Sequence, residues 1–243
     1  MAGQRLTLAL IALLLAAQVA LATQTIARHD IDDTLAMPPP REVASVLALG
    51  DDQFFFRHGV LEITHAGVAD GDTIYLRDFD YDVLVAWLFL LDELDPRSGA
   101  VPFLAAYWYG RTPVVADAAL IVDYLEARAL ADPETGWRWL VEAVYLARYR
   151  LNDLDRALAL AELAADGKIE NAPFYVQHLP AFIQLDLGER DAALVLLRAL
   201  LEENPDLPED ELNLLFFMID RIERDGGDGM TEPGAASGET DGT

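Results

Sequence analysis

Three aromatic residues, Phe103, Trp139 and Tyr175, stand thirty-six positions apart in this 243-residue chain. Aromatic rings and arginine are the side chains that most often anchor protein interfaces. Glu142, Tyr149, Arg150, His178 and Phe182 fall at helical spacing from those rings, so the eight together form the candidate partner-binding set. The competing expectation is that the rings pack between helices as core, the commoner fate of aromatics at helical spacing.

Other spacings suggest metal chemistry less well. His58, Glu62 and His65 share a helical face at steps of four and three, enough in principle for three zinc ligands. The metalloprotease pattern instead places its glutamate beside the first histidine, so no metal site is expected. Asp78, Asp80 and Asp82 alternate like the start of a calcium loop. Val83 then stands where such a loop needs glycine and Phe89 where it needs glutamate. These acids read better as first-turn helix residues. The nucleophile inventory is nearly empty: no cysteine, three serines (Ser45, Ser98, Ser237) and one lysine, Lys168. With 42 acids a carboxylate-dependent hydrolase is always conceivable, but no motif fixes such a pair beside a pocket. The expectation is a non-catalytic chain without a cofactor. A net charge of −25 argues against nucleic acid, whose phosphates require basic patches, and against charge-driven attachment to an anionic membrane.

The elements that would carry the candidate residues follow from a repeat. Ala157, Leu158, Ala161, Ala164 and Ala165 form an apolar helical stripe. Thirty-six residues on come Ala193, Leu194, Leu197, Leu200 and Leu201; thirty-six back come Ile121, Val122, Leu125, Arg128 and Ala129. A further step of thirty-seven gives Leu84, Val85, Leu88, Leu91 and Asp92. Eighteen of the twenty positions are apolar; Arg128 and Asp92 are not. Four residues before each stripe stands an acid, Asp80, Asp117, Asp153 or Glu189, suited to the positive end of a helix. Pro96, Pro133 and Pro205 close three of the four units. Such a period predicts an all-α solenoid of stacked helix pairs.

Around the repeats, Met1–Ala22 reads as a signal peptide or signal anchor. Arg5 precedes a run that is apolar except for Thr7 and Gln18 and ends at Ala20-Leu21-Ala22. Seventeen helical residues rise about 25 Å, just short of a hydrocarbon core of ~30 Å. Either way the body is expected outside the cytoplasm, periplasmic or anchored in the inner membrane. Residues 23–40 read as a proline-rich linker and 41–78 as an irregular N-terminal cap that buries Phe54 to Phe56. Residues 79–207 hold the repeats. Within them one long helix is expected from Gly136 to Arg150, and a kink at Pro180. Residues 208–224 form a capping helix, with Leu212, Leu215, Phe216 and Ile219 on one face. The acidic tail, 225–243, has almost nothing to bury and reads as disordered.

Asn152-Asp153-Leu154-Asp155-Arg156-Ala157-Leu158 and Leu187-Gly188-Glu189-Arg190-Asp191-Ala192-Ala193-Leu194, with Asn204-Pro205, resemble the turn, second helix and closing proline of the tetratricopeptide repeat family. The likeness covers about Tyr81 to Pro205. It departs from the family in its period, 34 residues there, and in having Ile169 where one closing proline would stand. With the N-terminal segment, the chain is similar to bacterial envelope proteins carrying such repeats. The resemblance implies a scaffold or adaptor that binds a protein partner in a concave face lined by first helices, with Phe103, Trp139 and Tyr175 facing the groove. A permanent subunit of a membrane-associated complex is the alternative.

Overall fold

The computed structural model describes residues 11–19, 35–66, 68–69, 72–73, 75–132, 134–166 and 171–225. Residues 11–19 are helical, and among the described residues no helix is long and apolar enough to cross a membrane. The rest of the N-terminal segment read as an export signal, most of the linker and the acidic tail after Asp225 lie outside the described residues.

The body is all-helical apart from a two-residue antiparallel ladder, Val68–Ala69 against Asp72–Thr73. Its helices are α1 (Arg41–Leu47), α2 (Asp52–His65), α3 (Tyr81–Leu94), α4 (Ala100–Tyr107) and α5 (Val115–Leu130). There follow α6 (Trp137–Leu146), α7 (Leu154–Ala165), α8 (Leu179–Asp186), α9 (Arg190–Glu203) and α10 (Glu209–Asp225). Each packs against its neighbours in sequence, and α3 with α5, and α4 with α6, also meet across one intervening helix.

The apolar stripe explains this packing. All twenty stripe positions are buried or half-buried, so one face of α3, α5, α7 and α9 is held inside at every turn. The preceding acids differ in what they do. Asp80 accepts hydrogen bonds from the amides of Asp82 and Val83, and Asp153 from that of Arg156, satisfying amides that a helix start leaves open. Asp117 instead sits inside the first turn of α5, and Glu189 makes no side-chain cap.

The two polar stripe residues are each other's partners. Asp92 on α3 and Arg128 on α5 face one another at 3.5 Å, both nearly buried. Tyr124 donates to the other Asp92 oxygen at 2.6 Å, and Arg128 donates to the Pro96 carbonyl at 2.5 Å and reaches Asp132 at 3.4 Å. Burial pushes the Asp92 carboxyl up to about 6, with Tyr124 and Arg128 pulling it back. Two departures from the apolar pattern thus meet as an ion pair between α3 and α5, with no hydrogen bond between the facing atoms.

Several sequence expectations are corrected locally. Phe55 and Phe56 are buried but Phe54 is 62% exposed, because three successive helical residues sweep about 200° and cannot share a face. The Gly136–Arg150 helix is regular only to Leu146; Ala147–Leu151 widen into a π turn that ends at Asn152, whose φ is 54°. Pro180 does not kink a long helix. It stands in the first turn of α8, where a missing amide is harmless, and Phe174–His178 before it form a tight 3-10 turn. On α10 Leu215, Met218 and Ile222 are the buried line, while Phe216 is exposed. The described end of the linker is docked: the Trp87 indole donates to the Ala36 carbonyl at 2.8 Å.

Candidate functional site

The eight candidate residues do not form one surface. Phe103 and Tyr175 are exposed, but Trp139 is only 8% exposed, so the aromatic line is broken at its centre. Equal spacing fixes equal facing only when helices begin at equal offsets, since one residue is a rotation of about 100°. Phe103 is the fourth residue of α4, Trp139 the third of α6, and Tyr175 lies in a 3-10 turn. The Trp139 ring lies beside Gly99, where a Cβ would make ordinary van der Waals contact with it at 3.6 Å. Its indole nitrogen is buried without a hydrogen-bond partner. Trp139 is core, and the groove assignment for it is corrected.

His178 is corrected likewise. It is buried, with Phe174 edge-on at 5.0 Å, its Nε2 lacks a partner, and burial lowers its pKa. Phe182 is half-buried against the C-terminal core cluster of α8, α9 and α10.

Glu142, Tyr149 and Arg150 do come together. They line an open cleft of about 510 Å³ between α4 and α6 with the π turn that follows it. Tyr145 and Leu146 complete that wall; the facing wall is Ala106, Tyr107 and Arg111. The α6 wall reads 142, 145, 146, 149, 150, the spacing that puts residues on one helical face. Tyr107, Arg111 and Tyr145 were missed by sequence reasoning. Tyr145 lay three residues after Glu142 on that same face, and Tyr107 four after Phe103, which is the signal that could have found them.

The cleft has two unlike ends. At one, the Tyr107 hydroxyl donates a short hydrogen bond to Glu142. That carboxylate, together with burial, pushes the Tyr107 phenol up to about 12. Burial raises the nearby Tyr175 phenol, with Arg138 lowering it and the charge of Glu142 raising it further. At the other end, Arg150 donates to the Arg111 backbone carbonyl at 3.1 Å, bringing its guanidinium to the Arg111 turn. No carboxylate among the described residues pairs with either guanidinium. Rings frame the cleft: Phe103 lies 4.7 Å from Tyr107, Tyr145 lies 4.7 Å from Tyr149, and the Arg148 guanidinium stands 4.7 Å over Tyr149. Arg148 is tied to Asp186 of α8, which steadies this wall.

The remaining candidate chemistry does not assemble. His58 pairs with Glu62 at 3.5 Å, while His65 Nδ1 turns back to the Leu61 carbonyl at 2.9 Å. Asp80 is a helix cap and Asp78 pairs with Arg77 on the surface. No group of three histidines or acids among the described residues could hold a metal ion. In comparisons with known proteins, no family model, no curated protein and no solved structure matches the chain.

Proposed function

We propose that this chain is a non-catalytic interaction scaffold, a tetratricopeptide-like α-solenoid that binds a segment of a protein partner in the cleft between α4 and α6. The observation that carries the reading is the cleft itself. Exposed tyrosines and two guanidiniums with no carboxylate partner among the described residues, the types enriched at interface anchors, meet across walls that belong to adjacent helix pairs. Packing of sequence neighbours, with α3 on α5 and α4 on α6, supports the solenoid. The body acts outside the cytoplasm, a placement supported by Arg5 and the apolar run after it.

Affinity capture from solubilised membranes, with a tag inserted in the acidic tail, tests the scaffold. A protein retained by the parent chain should be lost from a Tyr145→Ala/Tyr149→Ala variant that melts normally. Equal retention by both would reject the cleft as the binding surface. A permanent subunit role is favoured by a different observation: Leu214, Phe216 and Phe217 leave an apolar face open on α10. In that case Phe216→Ser/Phe217→Ser would release the partner and the cleft variant would not.

A further inference from the structure

We infer that the segment held in this cleft is an extended one with opposite charges three or four residues apart, its cation at Glu142 and its carboxylate at Arg111 and Arg150. The inference rests on the scaffold reading and specifies the chemistry of its occupant.

The geometry follows from the two walls. Glu142 and Arg150 are eight residues apart along α6 and the π turn that continues it, so their positions differ by roughly 10–12 Å along it. Across the cleft, Tyr107 is bonded to Glu142 and the Arg111 carbonyl to Arg150, so the facing wall keeps the same order. An acidic end and a basic end are therefore separated by a floor of Leu146 and Ala106 with tyrosine sides. Extended chain advances about 3.3–3.6 Å per residue, so about four residues span the distance.

Each end has a matching group. Glu142 is half-buried, its described partner is a neutral phenol, and Tyr107 stands beside it as a ring that can also face a cation. A lysine or arginine side chain fits there. At the far end Arg111 and Arg150 both line the cleft in a chain whose net charge is −25, a local reversal of sign. Guanidinium binds carboxylate through paired, charge-assisted hydrogen bonds, and a carboxylate of the occupant would supply the missing partner. A segment carrying both charges satisfies both ends; one carrying a single charge leaves the other end unmatched. The tyrosines and Leu146 between them accept one or two apolar side chains.

The experiment selects displayed random dodecapeptides, flanked on both sides so that no terminus is free, on the full chain. Affinities of the winners are then read by fluorescence anisotropy. Enriched peptides should carry Lys or Arg three or four positions from Asp or Glu. Against the winners, Glu142→Gln, which keeps an acceptor for Tyr107, should weaken binding at least tenfold. Reselection on that variant should lose the basic residue but keep the acid. Arg111→Gln/Arg150→Gln should do the converse, and thermal melts of both variants should match the parent. If selected peptides lack the charge pair, or keep it unchanged on both variants, the inference is overturned, while dependence on Tyr145 and Tyr149 would leave the scaffold reading standing. Enrichment no greater than on the Tyr145→Ala/Tyr149→Ala chain overturns both.

Discussion

The Asp92–Arg128 pair makes an asymmetric prediction. In Arg128→Leu at pH 7, Asp92 loses its cation and takes up a proton. With a folded pKa of about 6, that neutralisation adds on the order of 1 kcal/mol, the value of one pH unit. The variant also strips the Pro96 carbonyl of a charged donor, worth about 1.5–3 kcal/mol. Arg128→Leu should therefore destabilise by about 3–4 kcal/mol. Asp92→Leu is different. It costs Tyr124 its acceptor, about 1 kcal/mol, but removes a carboxylate whose burial raises it from 3.8 to about 6, on the order of 3 kcal/mol. Arg128 meanwhile keeps Pro96 and Asp132. The net effect should lie near zero, because Arg128 keeps an ionic partner in Asp132 instead of being left as an uncompensated buried charge. In the Asp92→Leu background, Arg128→Leu should cost at least 1 kcal/mol less than alone. Urea denaturation with linear extrapolation reads all four chains. An Asp92→Leu loss as large as that of Arg128→Leu would refute the reasoning, because the pair would then be a net clamp.

Other consequences follow from the same geometry. The Asp92 shift has a pH signature: because the folded pKa is raised, the stabilisation from proton uptake is full below 3.8 and is lost as pH rises through about 6. Stability of the parent relative to Asp92→Asn should thus fall across that window in denaturant titrations; a flat difference would contradict it. Trp139→Ala should destabilise by ~3–5 kcal/mol through the cavity left against Gly99, whereas a change under 1 kcal/mol would return Trp139 to the surface. Asp80→Ala and Asp153→Ala should each lose about 1 kcal/mol as caps, and Glu189→Ala almost nothing, measured by thermal melts. Ultraviolet titration should find Tyr107 ionising near 12, and earlier in Glu142→Gln; its contribution to stability is held below pH 10 and lost as pH rises through 12.

What could be read from the chain divides along physical lines. The stripe was legible because burial in α3, α5, α7 and α9 depends on a face, and a face is a spacing. Even its exceptions were visible as Asp92 and Arg128, though their meeting was not, since that depends on how α3 and α5 lie together. The site was legible only where one helix carries it: Glu142, Tyr149 and Arg150 share the α6 face, and Tyr145 was there to be included. Trp139 and His178 escaped because their facing depends on helix starts, one set by Gly136 and one by the turn before Pro180. Tyr107 and Arg111 escaped because the opposing wall belongs to another helix pair. The end of the expected helix is instead a π turn closed by Asn152, a backbone outcome that periodicity does not encode.

Site-specific photocrosslinking tests most directly whether the cleft is the place where a partner sits. A photoreactive phenylalanine analogue placed at Tyr145, inside the cleft, is compared in living cells with one at Val195, which is exposed on α9. Partner binding in the cleft predicts a discrete crosslinked adduct from position 145, absent at 195 and abolished by Arg111→Gln/Arg150→Gln. An adduct from 195 with none from 145 would contradict it.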